Sequence, residues 1–139
     1  MDQPQIKVGI GVVVFKDGKI LLHKRKNAHG AGEYAAPGGH LEYMESIEQG
    51  ARRECREEAG IEIVNVRFLD LINTKTYAPK HYVTIGMVAD WKSGEPKVME
   101  PEKCESWEWY DIDHLPQPLF SATTHYIETL KTGKSFFDA

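Results

Sequence analysis

The chain has 139 residues, a formal net charge of −4 and 41% hydrophobic residues, which suffices for one folded core but not for two of ordinary size. The 17 basic residues are fewer than the 21 acidic ones and are dispersed except at 23–26, which disfavours binding of polymeric nucleic acid but not of a small phosphorylated ligand. The longest apolar run, 8–15, falls short of the ~20 residues that span a bilayer, and neither a secretion signal nor a disulfide framework is evident. We therefore expect one domain over 1–139, in the cytoplasm and not in a membrane.

The first part of the chain is predicted to form strands. An apolar run at 6–15 indicates a buried strand, and Asp17 and Gly18 indicate a hairpin turn into a partner strand at 20–25. A glycine-containing loop follows, and then a short extended piece at 34–36 that ends in Pro-Gly-Gly.

The second part begins with a helix predicted over 46–59, with Gly60 as its C-terminal stop. Further strands, a second helix and a short tail are predicted after it, with the strands at 61–72, 81–91 and 106–111 and the helix at 120–131. Strands, a helix, more strands and a helix in this order predict a mixed α/β domain.

The first predicted helix carries three carboxylates on one strip of its surface. Glu54, Glu57 and Glu58 stand at positions i, i+3 and i+4, where like charges repel each other. A helical wheel places Glu54 and Glu58 at the edge of an apolar arc, Glu57 a little beyond it, and Glu48 inside the arc, which shows that the wheel is approximate. The arc is Ile47, Ala51, Cys55 and Ala59, and the side turned to water is Gln49, Arg52, Arg53 and Arg56. Carboxylates at the edge of a core are costly unless a cation neutralises them, and Mg²⁺ prefers oxygen ligands. The simpler interpretation is a set of solvated helix charges.

The segment from 39 to 61 extends this pattern over 23 residues. It reads Gly, five residues, Glu, seven residues, Arg-Glu, an apolar position, one residue, Glu-Glu, one residue, Gly and a bulky apolar residue. The pattern resembles the complete box of the Nudix (MutT-like) hydrolases, with Cys55 at the first apolar position and the fixed positions filled by Gly39, Glu45, Arg53, Glu54, Glu57, Glu58, Gly60 and Ile61.

The resemblance covers roughly 6–130 and implies an α/β/α sandwich around a central mixed sheet, with the box as a loop–helix–loop. It also implies that Glu54, Glu57 and Glu58 hold one to three Mg²⁺ or Mn²⁺ ions against a substrate diphosphate, with the Gly38 carbonyl as a further ligand. Many family members supply a late metal ligand from a loop that here carries Glu100, Glu102 and Glu105. Glu102 is the choice among them, and a solvated loop is the simpler interpretation. One of the helix glutamates, by preference Glu54, acts as general base through a water molecule.

Four further box residues have structural roles in the family. The resemblance implies that Arg53 and Glu45 form an internal ion pair that fixes the loop to the helix. Gly39 and Gly60 are expected at turns, without a direct part in the chemistry.

Substrate contacts are implied less specifically. The resemblance places Arg25 near a phosphate, and Tyr34, Leu119 and Phe120 as walls of an apolar base pocket, although each could instead be surface or core. His40 lies beside the box and could touch a phosphate, whereas a lone histidine is more often structural.

The activity implied is metal-dependent hydrolysis of a nucleoside triphosphate to monophosphate and pyrophosphate. An oxidised purine nucleotide, 8-oxo-dGTP, is favoured because residues 37–42 and 100–103 resemble that branch. ADP-ribose, sugar nucleotides, dihydroneopterin triphosphate and prenyl diphosphates stay open, because the box recognises only the diphosphate. A non-catalytic ligand sensor and a diphosphate isomerase of the same fold stay open as well. Homodimers are common in this fold.

Overall fold

A computed structural model describes residues 3–139. Residues 1 and 2 lie outside that range, and the prediction that the N-terminus carries no secretion signal falls partly on them. The elements in chain order are β1 (Ile6–Lys16), β2 (Lys19–Arg25), β3 (Tyr34–Ala35), β4 (Gly38–His40), α1 (Ile47–Ala59), β5 (Glu62–Thr74), β6 (His81–Ser93), β7 (Cys104–Asp111), α2 (Ser121–Thr132) and β8 (Phe136–Asp138). The predicted mixed α/β class and the order of its main elements are confirmed. The tail differs from the prediction, because it forms β8, which pairs in parallel with β5 and buries Phe137.

The strands form one mixed sheet in the order β3-β2-β1-β6-β5-β8, with β4 added on β1 and β7 added on β2. β1 runs parallel to β6 along most of its length but pairs with β2 only next to the hairpin, at Phe15 and Lys16. Asp17 and Gly18 both have positive φ, 50° and 78°, as the tight turn requires. Beyond the turn β1 and β2 diverge, since β4 pairs with β1 and β3 with β2. This divergence opens the sheet at one end.

Two hydrophobic clusters cover the two faces of the sheet. On one face α1 packs through Ala51, Cys55 and Ala59, and on the other α2 packs through Ala122, Tyr126 and Ile127. Alternate residues of β1 pack into the two clusters, as expected for a strand buried on both faces. Within residues 3–139, no helix has both the length and the apolar character needed to cross a membrane.

Helix α1 begins and ends as the sequence predicts. The Ser46 hydroxyl accepts a hydrogen bond from the Gln49 amide, the Gln49 side chain accepts one from the Ser46 amide, and Gly60 closes the helix with a φ of 70°. The wheel is wrong for Arg53, which is not turned to water. Its side chain is only 18% exposed, because it lies between Glu45 of the loop before α1 and Glu54 of the helix itself.

A row of glycines crosses the sheet on the α2 side. Gly11 of β1 stands in register with Gly38 of β4 and with Gly86 of β6, and Gly86 stands opposite Asp70 of β5. The Tyr126 ring lies over this glycine row, so that a Cβ on Gly11 would overlap the phenol and a Cβ on Gly86 would overlap both Asp70 and the ring edge. The missing side chains make the space that the tyrosine fills.

Replacing Gly11 by Ala should therefore destabilise the protein, because an added methyl group overpacks this space. We expect Gly11→Ala to lower the free energy of unfolding by about 1–3 kcal/mol, measured by urea denaturation. Gly9→Ala, in the same strand, is the matched control, since its Cβ would lie 3.2 Å from a movable Thr84 hydroxyl. Equal losses in the two variants would contradict the overlap with Tyr126.

The Asp70 carboxyl group lies fully buried behind the same ring. Its Oδ2 accepts a hydrogen bond of 2.7 Å from the Thr129 hydroxyl, while Oδ1 has no partner among residues 3–139. Burial raises the pKa of Asp70 to about 6, and the Thr129 hydrogen bond opposes part of that rise.

The raised pKa gives a signed prediction for pH. Because the folded state holds the proton of Asp70 more tightly than the unfolded chain, folding is favoured at pH 4 and loses free energy as the pH rises through about 6. Asp70→Asn does not ionise, so it should match the wild type at pH 4 and be more stable at pH 8, by at most roughly 3 kcal/mol. Melting temperatures of both proteins from pH 4 to pH 8 test this, and parallel curves would contradict it.

Candidate active site

A cavity of about 800 Å³ opens where β1 and β2 diverge, within the size range of small-molecule sites. Residues of both helix layers line it, because the gap in the sheet joins the α1 side to the α2 side. Carboxylates of α1 form one wall, and Arg25 with several aromatic rings forms the opposite one.

The acidic wall consists of Glu54, Glu57, Glu58 and Glu100. The Glu58 carboxylate accepts a 2.7 Å hydrogen bond from the Gly38 amide, which fixes its orientation. Burial raises the pKa of Glu58 to about 8, Glu54 and Glu100 add to this by repulsion, and the Gly38 hydrogen bond opposes it. Burial also raises the pKa of Glu54, with Arg53 acting against the shift. The carboxyl groups of the wall are therefore crowded and partly desolvated, an arrangement that favours binding of a proton or of a cation.

Arg53 links the loop before α1 to the helix. Its guanidinium donates to both oxygens of Glu45, at 2.6 and 3.0 Å, and to the His40 carbonyl at 2.9 Å. Its other terminal nitrogen donates to Glu54 at 2.7 Å and to Glu57 at 3.2 Å. Hydrogen bonding to Arg53 lowers the pKa of Glu45. One side chain thus positions three of the box glutamates.

The glycines of β4 allow the loop to approach these carboxylates. A Cβ on Gly39 would lie 2.5–2.6 Å from the carboxylate atoms of Glu54, and one on Gly38 would overlap the Ile10 carbonyl. The Pro-Gly-Gly sequence is therefore required by close packing against α1 and β1 rather than by a positive φ.

The acidic wall suits a divalent cation by its donor chemistry. Carboxylate oxygens are hard ligands of the kind that Mg²⁺ and Mn²⁺ prefer, and the raised pKa values mark charge that a cation would relieve. In the part of the chain that the structure describes, no three carboxylate, imidazole or thiol groups already converge as a metal site. The guanidinium of Arg53 lies between Glu54 and Glu57, so a bound cation would share these carboxylates with it.

Arg25 faces the acidic wall from the end of β2. Its Nε donates to the His29 carbonyl at 3.0 Å, and its guanidinium lies 4.2 Å from the centre of the Phe120 ring. The Tyr77 ring stacks on Phe120 at 5.0 Å, and its hydroxyl is fixed by Glu33. Within residues 3–139 no carboxylate lies within ion-pair distance of Arg25. Burial lowers the pKa of Arg25, and the more distant Glu58 and Glu33 oppose part of that shift. The guanidinium is thus held in place while its terminal nitrogens stay available for an anion.

The rim of the cavity carries further rings and a lysine. Tyr82 lies between His29 and His40, at 6.0 and 5.5 Å between ring centres, and its hydroxyl contacts His40 Nε2 at 3.1 Å. Lys80 lies 2.9 Å from His29 Nδ1, so His29 accepts there in its neutral form. Burial, together with nearby cations, lowers the pKa of His29 to about 4 and also lowers that of His40.

The model of the NUDIX domain family matches residues 5–130 of the chain. The chain belongs to the NUDIX family. A MutT NUDIX hydrolase from Burkholderia pseudomallei has a similar structure, with a TM-score of 0.84 and 39% identity over 89% of this chain and 97% of that one. The predicted family and the predicted fold are therefore confirmed.

Two curated relatives carry more specific names. An NAD-capped RNA hydrolase NudC from Edwardsiella ictaluri is 32% identical over 90% of this chain, and an ADP-ribose pyrophosphatase from Methanocaldococcus jannaschii is 33% identical over 81%. The NUDIX chain spans 48% and 66% of the lengths of these two proteins. NUDIX hydrolases generally use divalent metal ions and act on substrates with a nucleotide diphosphate linkage.

Three of the substrate and metal residues predicted for this NUDIX domain lie outside the cavity. Tyr34 and Leu119 form a parallel bridge and pack into the α2-side cluster, where the Tyr34 ring meets Tyr110 edge-on. Glu102 is exposed, and its main-chain carbonyl accepts a 3.2 Å hydrogen bond from the Asn27 side-chain amide. Glu100, two residues earlier, lines the cavity instead.

Several cavity residues escaped the sequence analysis. His29, Tyr77 and Lys80 lie in two loops, 26–33 and 75–80, whose sequences carry no motif. Tyr82 near the start of β6 and Tyr126 of α2 were missed as well, since only folding brings these residues to one cavity.

Proposed function

We propose that this NUDIX chain hydrolyses the phosphoanhydride of a nucleoside diphosphate derivative with the help of a divalent cation. The observation that carries the proposal is the pairing of an acidic wall, Glu54, Glu57, Glu58 and Glu100, with the available guanidinium of Arg25 across one cavity. A diphosphate between these walls would meet opposite charge directly on one side and through a cation on the other.

The proposed roles follow from position. Glu54, Glu57 and Glu58, with the Gly38 carbonyl, would hold Mg²⁺ or Mn²⁺, and we propose Glu100 in the place predicted for Glu102. The cation, when bound, supplies charge stabilisation for the phosphoryl oxygens and lowers the pKa of water.

The chain itself supplies positioning and proton transfer. Arg25 would bind a phosphate oxygen, and Glu54 would accept the proton of the attacking water. His40, on the rim, stands near enough to the box to contact a phosphate, and Phe120 contributes to the cavity mainly as the surface on which Arg25 and Tyr77 stack.

The proposed substrate class is a nucleoside diphosphate linked to a second group, such as ADP-ribose. The names of the two curated relatives support this class, and the cavity is large enough for such a ligand. Hydrolysis of 8-oxo-dGTP stays a prediction that rests on residues 37–42 and 100–103, since Tyr34 and Leu119 do not line the cavity. A single domain, a homodimer and a cytoplasmic location also stay predictions.

A substrate panel tests the proposal. The protein is incubated with Mg²⁺, with Mn²⁺ or with EDTA and with ADP-ribose, NADH, 8-oxo-dGTP, dGTP or geranyl diphosphate, and the products are separated by chromatography. We expect release of a nucleoside monophosphate that requires metal. Calorimetric binding without turnover of any substrate would instead favour a ligand sensor.

A further inference from the structure

The α2 side of the cavity is a recess without charged side chains. Small residues and hydroxyl groups line it, and the set that we call the α2 recess is Gly11, Ala36, Thr84, Ala122, Thr123 and Tyr126. The charged lining residues lie elsewhere: on α1, near the outer ends of β1 and β2 at Lys7 and Arg25, and in the loops that carry Glu42, Lys80, Glu100 and Lys103. An uncharged chamber with few polar atoms favours a neutral, mostly apolar group of a ligand over a phosphate.

Tyr126 is the one ring in this recess, and its place is determined by the sheet beneath it. Its ring covers Gly86 and its hydroxyl reaches Gly11, one strand away from Gly38. Asp70 lies at the ring edge over Gly86, where the aromatic quadrupole is positive. The tyrosine is 3% exposed, and close packing holds its ring over the glycine row.

The hydroxyl of Tyr126 is nevertheless without a hydrogen-bond partner. No donor or acceptor within residues 3–139 bonds to it, although buried tyrosines usually find one. The neighbouring Thr123 hydroxyl already accepts a 3.2 Å hydrogen bond from the Ala36 amide. Burial raises the pKa of the Tyr126 phenol, so it remains a donor at neutral pH. A donor that a largely buried ring presents at the cavity wall is a group that a ligand can satisfy.

We propose that the Tyr126 hydroxyl determines specificity by donating a hydrogen bond to a neutral acceptor, a ring nitrogen or carbonyl, on the nucleobase of the substrate. This inference rests on the proposed function and adds which end of the ligand enters the α2 recess. The diphosphate then lies at Gly38 and the acidic wall, and the base lies on the opposite side of the gap in the sheet.

Tyr126→Phe removes the donor and keeps the ring, so the fold is retained. Binding of AMP, GMP, CMP and UMP and of inorganic diphosphate is measured by isothermal titration calorimetry with Mg²⁺ present. For the nucleotide that the wild type binds best, Kd should rise by about 3- to 10-fold, the value of one neutral hydrogen bond, while Kd for diphosphate stays unchanged. Tyr110→Phe, outside the cavity, is the matched control and should change neither constant.

The same variants separate this inference from the proposed function. If the wild type hydrolyses the panel but Tyr126→Phe keeps the wild-type Kd for every nucleotide, the role of Tyr126 is wrong and the hydrolase proposal stands. An equal weakening for nucleotides and diphosphate, or failure of the wild type to bind any of the four nucleotides, also overturns it. Circular dichroism and a melting curve establish that the variant is folded.

Discussion

Glu58→Gln is expected to lower kcat by at least ~10²-fold, because it removes a charged oxygen ligand from the acidic wall of the cavity. Glutamine keeps the shape of the side chain and can still accept the hydrogen bond from the Gly38 amide, so the fold should be unchanged. Steady-state kinetics with the best substrate of the panel, together with circular dichroism, measure both parts.

Glu48→Gln is the matched control for this variant. Glu48 lies on the same helix but is exposed, forms an ion pair with Arg52 and does not line the cavity. It should keep the wild-type kcat. Wild-type turnover in Glu58→Gln, with the control unchanged, would exclude Glu58 from the metal site.

Arg53→Ala should be the most destabilising change at the site. Its loss leaves Glu45 and Glu54, both largely buried, without their common partner, and we expect the free energy of unfolding to fall by about 3 kcal/mol. Millimolar Mg²⁺ should restore part of that loss, because a cation bound only by the folded state replaces the missing positive charge. Urea denaturation with and without Mg²⁺ measures both effects.

Arg56→Ala provides the comparison, since Arg56 belongs to the same helix but forms an exposed ion pair with Glu62. That variant should lose less than ~1 kcal/mol, and its loss should not depend on Mg²⁺. If Arg53→Ala behaves in the same way, the guanidinium does not neutralise the acidic wall.

The box was predictable because its residues lie on one continuous segment. A helix of known pitch fixes where Glu54, Glu57 and Glu58 stand, and Ser46 and Gly60 mark its ends by local hydrogen bonding. The apolar runs and the Asp-Gly turn similarly defined most strands, since each signal is complete within a few residues.

The opposite wall was not predictable in this way. Arg25, Tyr77 and Phe120 come from three separate parts of the chain, and their stacking depends on tertiary contacts that no short pattern encodes. The error on Arg53 has a related origin, because a wheel treats a helix as isolated and omits the loop carrying Glu45. β8 was missed because a three-residue strand is defined by its partner rather than by its own sequence.

The glycine row also means that the side-chain sizes at positions 11, 86 and 126 depend on one another. Two backbone positions without side chains accommodate one large ring, so the three residues act as a single unit of fixed total size. A homologue that carries alanine or serine at position 11 or 86 should therefore carry a residue smaller than tyrosine at position 126. Such a protein would have a recess of different depth and no phenol in it, and would select among ligands by shape alone.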